Sequence, residues 1–183
     1  IFVPVLCCLY VGFESTARKY VVPGWLQQRD DHFLRNSTFV ELPSRKDKLL
    51  TTVNSISHPN EAGKHYISRV RQLTGAIDVC SVRSSLKFCL LAEGEAHLYP
   101  RYGHIMEWYT AAGQAIVEAS GGSVLTLPGM EPMFYNREDL RNPHFIAIGA
   151  GVERQLVAVA ANSPPAARAG AGSSTENGVL SPT

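Results

Sequence analysis

Apolar and polar positions along this chain switch repeatedly between a period near two and a period near 3.6, and the switches outline the elements. Residues 3–11, rich in Val, Leu and Tyr, predict a strand. From 12 to 48 the signals are mixed: a turn at Pro23-Gly24, a solvated stretch around Arg29, Asp30, Asp31 and Arg35, a short strand over 38–42 and a charged, exposed run over 44–48. Residues 49–56 predict a strand and 60–73 a helix, with Tyr66, Val70 and Leu73 at i, i+4 and i+7 on one face. Gly75 is placed to stop that helix. A strand over 77–82 follows, then a helix over 84–93. Ser84 or Ser85 caps it, Leu86, Leu90 and Cys89 supply its apolar face, and Gly94 ends it. Residues 96–99 predict a short strand ended by Pro100. The clearest helix covers 109–120, where Ala112, Ala115, Ile116 and Ala119 recur at helical spacing before Gly121-Gly122. Strands over 124–127 and 145–148 close the pattern, with a turn at Pro128-Gly129.

Strands alternating with helices predict an α/β fold built in layers. Residues 1–50 are a poorly assigned strand and loop region, 51–150 form the α/β domain, and 151–183 are a low-complexity tail. From 163 onward the tail is mostly Ala, Gly, Ser and Pro without an aromatic residue, which predicts disorder.

Composition narrows the classes of partner. The 183 residues are 45% hydrophobic, enough for a real core. A net charge of +1 gives no global reason to expect nucleic acid or an anionic membrane. Nothing supports even peripheral membrane contact. The first ten residues are apolar, but they lack a basic start, contain Pro4, and fall short of the roughly 20 residues that span a bilayer. The chain starts with Ile inside this apolar stretch, as a piece of a longer protein would. Cys7, Cys8, Cys80 and Cys89 show no CxxC spacing, so buried free thiols in a reducing, cytoplasmic setting are expected over zinc or disulfides.

Several stretches in fixed order are more specific. They are Ser84-Ser85-Leu86-Lys87-Phe88-Cys89, Ala92-Glu93-Gly94, Leu98-Tyr99-Pro100-Arg101-Tyr102-Gly103 and Glu107-Trp108-Tyr109-Thr110-Ala111-Ala112-Gly113. Asn142-Pro143-His144-Phe145 and, more weakly, Ser55-Ile56-Ser57-His58 continue the series. Together they resemble the CysQ-type bisphosphate nucleotidases of the inositol monophosphatase superfamily, strongly over 76–148 and less so over 51–75. The resemblance is to the C-terminal half of that fold, a layered α/β sandwich.

The resemblance implies a magnesium-dependent phosphatase that takes a phosphate from a small nucleotide, 3′-phosphoadenosine 5′-phosphate. Inositol phosphates are the runner-up substrates. In such enzymes metal ions activate water and neutralise the transferring phosphoryl group, and Mg²⁺ takes oxygen ligands from carboxylates. Most of those ligands belong to a helical Glu and an Asp-Pro-x-Asp-Gly-Thr loop, and neither motif is present. One further ligand is the Asp of Trp-Asp-x-Ala-Ala at a helix N-terminus. That position is Tyr109, a phenol that is neutral at pH 7, a poor magnesium ligand and a poor N-cap. Glu107, two residues away, lies on a different backbone path.

The resemblance also implies that His58, Ser84, Ser85 and Lys87 line the nucleotide side of a cleft, with Arg101 as a second cation. Amides and hydroxyls at a helix N-terminus beside a Lys suit phosphate. Each residue has a plainer alternative. Ser84 and Ser85 are also a helix cap, Lys87 and Arg101 surface charges, His58 a loop residue and Trp108 a core aromatic. His32, His65, His97, His104 and His144 show no ligand spacing. Two outcomes compete with an active enzyme: a degenerate module that keeps the anion pocket, and a partial layered fold whose exposed apolar faces favour self-association. The chain alone is expected to show no phosphatase activity.

Overall fold

The computed structural model describes residues 1–22, 37–44, 49–55 and 61–162. The first sheet is antiparallel, with strands in chain order: β1 (Phe2–Val3), β2 (Cys8–Phe13), β3 (Thr16–Val21) and β4 (Thr38–Glu41). The second is mixed: β5 (Thr51–Ser55), β6 (Asp78–Val82), β7 (Leu98–Arg101), β8 (Ser123–Thr126) and β9 (Phe145–Ile148) in the order β6-β5-β7-β9-β8. β5 is parallel to β6 and β7, and β9 runs antiparallel to β7 and β8. Four helices complete the chain: α1 (Glu61–Thr74), α2 (Leu86–Glu93), α3 (Ala111–Ala119) and α4 (Arg154–Asn162).

Helices α2 and α3 lie between the two sheets, and α1 and α4 cover the far face of the second. The layering explains why β9 is apolar throughout. Phe145 and Ala147 meet the α2–α3 side, while Ile146 and Ile148 meet the α1–α4 side. A strand covered on both faces reads as a continuous hydrophobic run. The first sheet sits tightly on α3: a Cβ on Gly12 would come within 2.8 Å of Ala115 O and Ile116 Cα. It is also tied to the end of α2, where Glu93 accepts from Tyr10 Oη at 2.6 Å and Lys19 Nζ at 2.8 Å.

Several sequence-based expectations are revised. The single strand over 3–11 is broken by a 3₁₀ turn, Pro4–Leu6, and Cys7 leaves it in a left-handed conformation (φ 48°). β3 was not anticipated. β7 runs through Pro100, which pairs with Ile146; β5 meets β7 at Leu98, so the missing N–H falls where no further pairing with β5 is made. The buried face of α2 is Phe88, Cys89, Leu91 and Ala92, with Leu86 and Leu90 only half-buried. In α3, Ala112 and Ala115 are exposed, and Gly113, Gln114, Ile116, Val117 and Ala119 are buried. Leu73 of α1 is 45% exposed, while Tyr66 and Val70 are buried. α4 forms inside the stretch expected to be a structureless tail, because Val157 and Ala160 find an apolar partner in α1. The turn at Pro23-Gly24, the charged stretches around 29–35 and 45–48, and the tail from 163 onward lie outside the described residues.

The four cysteines are free thiols, with Cys8 and Cys89 buried and Cys7 and Cys80 half-buried. Burial raises the Cys89 thiol to about 12. No described helix is long and apolar enough to cross a membrane. Exposed apolar side chains collect on the outer face of the first sheet, where Val11, Phe13 and Phe39 project.

Candidate functional site

The turn from β6 into α2 carries the first part of the site. Ser84 is left-handed (φ 58°), a conformation that costs an L-residue on the order of 1–3 kcal/mol. Lys87 holds it there: its Nζ donates to Val82 O at 3.0 Å and Ser84 O at 2.8 Å. Neither serine caps α2 through its side chain. Ser85 already has helical dihedrals (φ −68°, ψ −7°), whereas a capping residue is extended so that its oxygen reaches forward to the helix amides. The expected cap is therefore absent, and capping does not consume the two hydroxyls.

Lys87 is not the solvated surface charge of the plainer alternative. It is 5% exposed, sits 5.3 Å from the centroid of the Tyr99 ring, and titrates near 8. Burial is the larger cause of that shift and the Arg101 charge the smaller. Arg101 closes β7 and is half-buried, and its Nε is buried with no acceptor among the described residues. A buried donor without a partner invites an explanation, and an anionic ligand supplies one.

Ser84, Ser85, Lys87, Arg101 and Tyr109 all line one cleft of about 410 Å³, together with Phe88, Tyr99, His104, Ile105 and Met106. Five of the six residues singled out from sequence thus converge. The sixth, His58, lies outside the described residues. His104, to which the sequence pattern gives no role, follows the Arg101-Tyr102-Gly103 stretch directly and emerges near the end of β7.

Tyr109 ends a 3₁₀ turn, Glu107–Tyr109, and Thr110 is the residue that precedes α3. The position therefore lies just before the helix N-cap. Asn142 pins this junction by donating from Nδ2 to Thr110 Oγ1 at 2.8 Å and from its backbone to Ile105 O at 2.9 Å. Glu107 is buried, and its carboxylate accepts the backbone N–H of Asn136 at 2.7 Å and of Arg137 at 3.1 Å. It is a structural group facing the 136–137 loop. Trp108 is not core: it is 61% exposed, and its neighbour Tyr109 is 60% exposed.

The polar groups that line the cleft are two serine hydroxyls, two cations, an imidazole and two phenols, with no carboxylate among them. Magnesium prefers a near-octahedral set of hard oxygens including carboxylates. The described residues do not fit that ion, and among them no three His, Cys, Asp or Glu side chains cluster as ligands. They suit a phosphate instead.

Comparison with known proteins agrees with the architecture. The sequence profile of the inositol monophosphatase family matches residues 26–163. The chain belongs to that family, and within it is CysQ-like. It is 51% identical to a protein from the pss 5′ region of Rhizobium leguminosarum bv. phaseoli, over 40% of this chain and 84% of that protein. It is 42% identical to the 3′(2′),5′-bisphosphate nucleotidase CysQ of Escherichia coli K12 over 93 residues, which is 51% of this chain and 36% of the relative. The crystal structure of CysQ from Bacteroides thetaiotaomicron superposes with a TM-score of 0.72 at 36% identity, covering 83% of this chain and 57% of that one. The chain thus spans little more than half of that structure and about a third of the E. coli enzyme.

Proposed function

We propose that this chain carries the phosphate-recognising part of a CysQ-like 3′(2′),5′-bisphosphate nucleotidase. Its ligand is a small phosphorylated nucleotide of the 3′-phosphoadenosine 5′-phosphate type. The observation that carries the proposal is the convergence of Ser84, Ser85, Lys87 and Arg101 on one cleft in a chain that is 42% identical to such an enzyme over 93 residues. The buried Lys87 ammonium keeps one donor beyond the two given to Val82 and Ser84. That donor and the half-buried Arg101 guanidinium neutralise the phosphate, and the Ser84 and Ser85 hydroxyls complete its hydrogen bonds.

In this proposal magnesium belongs to the family's hydrolytic reaction, where it supplies an activated water and charge neutralisation. The described donors do not suit that ion. The chain by itself binds the nucleotide and does not hydrolyse it. The free thiols fit a cytoplasmic protein.

Calorimetric titration of the purified chain with adenosine 3′,5′-bisphosphate is expected to give saturable heat with or without EDTA, and Lys87→Met is expected to abolish it. Magnesium-dependent phosphate release by the chain, or the absence of binding, would refute the proposal.

A further inference from the structure

Arg101 pairs with Phe145 where β7 meets β9, and beyond that pair the two segments stay fastened together. The Asn142 amide donates to Ile105 O at 2.9 Å, and Met106 forms an antiparallel bridge with Arg141. His104 and His144 stand between these two fastenings. The His144 backbone is fixed once more, because its carbonyl accepts from the Leu127 amide at 2.8 Å. This frame brings two imidazoles that are distant in sequence to 6.3 Å between ring centroids, with their planes 35° apart. Both residues are exposed, and neither imidazole has a hydrogen-bond partner among the described residues. The Tyr102 ring backs His144 at 5.8 Å.

Two neighbouring imidazoles with free nitrogens are a ligand pair for a metal ion, since the neutral ring coordinates through either nitrogen. Rings that share one ion through bonds of about 2.0–2.1 Å have centroids about 5–6 Å apart. The observed spacing therefore needs only a small rotation of two exposed side chains. We propose that His104 and His144 together bind one divalent transition-metal ion, of the Zn²⁺ or Ni²⁺ kind, at the edge of the cleft that His104 lines, with water completing its coordination. No third His, Cys, Asp or Glu joins them among the described residues, so the site is open, unlike a closed four-ligand structural centre. Imidazole selects such ions over magnesium, which takes carboxylate and water oxygens. The Arg101 charge in the same cleft sharpens the choice, because it opposes a cation held by charge alone. The site uses neither serine nor Lys87, so it stands or falls independently of the phosphate reading.

The test is a calorimetric titration of the full chain with Ni²⁺, which the four free thiols favour less than Zn²⁺. The variants are His104→Ala, His144→Ala and, as a control on α1, His65→Ala. The parent is expected to bind one equivalent, and loss of either paired ring to weaken binding about tenfold or more, since even outer-shell changes cost that much. His65→Ala is expected to bind as the parent does, and excess Mg²⁺ to leave the isotherm unchanged. In the parent, Ni²⁺ is expected to broaden the His104 and His144 ring resonances together, which tests the pair without any substitution. Absence of binding, undiminished affinity in either paired variant, or broadening of one ring alone would overturn the proposal. An equal loss in His65→Ala would mean an adventitious ion only and would overturn it as well.

Discussion

Lys87 Nζ lies 2.8 Å from the carbonyl oxygen of Ser84, so the cation on the cleft floor is also the clamp that keeps Ser84 left-handed. The two roles respond to pH in opposite directions. The ammonium titrates near 8 in the folded chain against an ordinary 10.5, so between these values the unfolded chain binds a proton that the folded chain does not. Stability therefore gains a contribution as pH rises from about 8 toward 10.5, and loses it as pH falls through 8. Phosphate affinity runs the other way and weakens as pH passes above 8, because the positive charge is lost. Binding isotherms of the parent between pH 6.5 and 9.5 are expected to show this fall, while Lys87→Met gives no saturable heat anywhere in that range.

Glu93 joins the first sheet to the helix that carries Lys87. Its carboxylate accepts from Tyr10 and Lys19, and burial followed by the Glu93 hydrogen bond pushes the Tyr10 phenol well above its usual range. A hydrogen bond to a charged group is worth about 1.5–3 kcal/mol, and leaving the partner unsatisfied adds to the loss. Tyr10→Phe is expected to lower the urea-derived unfolding free energy by about 2 kcal/mol. Glu93→Ala is expected to lower it further, since it strands both the phenol and the Lys19 ammonium. Equal stability of Tyr10→Phe and the parent would show that this buried link does not hold the layers together.

Gly113 faces Phe88 so closely that an added Cβ would fall inside the van der Waals radius of the ring and 3.0 Å from Phe88 Cβ. Phe88 has little room to yield, since it packs against Tyr99 and Phe145 at centroid distances of 5.5 and 6.3 Å. Overpacking of this kind costs about 1–3 kcal/mol. Gly113→Ala is expected to fall in that range by chemical denaturation. It is also expected to weaken phosphate binding, because Phe88 adjoins Lys87 in α2 and lines the cleft.

The regular parts of this fold were legible where local pattern and burial agree. β9, α1 and the span of α2 follow from apolar runs and glycine stops. β3 was not, and the reason is Lys19. It occupies an inward position beside buried Ala17, and its charge is satisfied by Glu93, 74 residues away, so a charged side chain interrupts the alternation that marks a strand. α4 was hidden for a similar reason, since its small apolar stripe gains meaning only against α1. The cleft was legible through family resemblance at Ser84, Ser85, Lys87, Arg101 and Tyr109. Composition alone placed Lys87 and Arg101 on the surface and Trp108 in the core. Burial by distant elements reverses the first for Lys87, and a tightly bonded 3₁₀ turn reverses the last.

That turn supports the final prediction. Glu107 resembles a spare carboxylate near the position of a missing metal ligand, but its two oxygens accept the backbone amides of Asn136 and Arg137. Its backbone N–H in turn donates to Leu140 O at 3.0 Å, so one residue fixes the 136–140 loop against the base of the Tyr109 turn. Glu107→Ala leaves two amides without their acceptor, at about 1–3 kcal/mol for each group that stays buried. Glu107→Gln keeps one acceptor oxygen and loses less. Both variants are expected to destabilise the chain in that order, and Glu107→Ala to speed amide hydrogen exchange at 136 and 137 ahead of global unfolding. A carboxylate serving instead as a cation ligand would respond differently: the parent's melting temperature would rise with added Mg²⁺, and the rise would vanish in Glu107→Gln. The hydrogen bonds predict no such rise, because a ligand oxygen cannot serve the ion without releasing the loop.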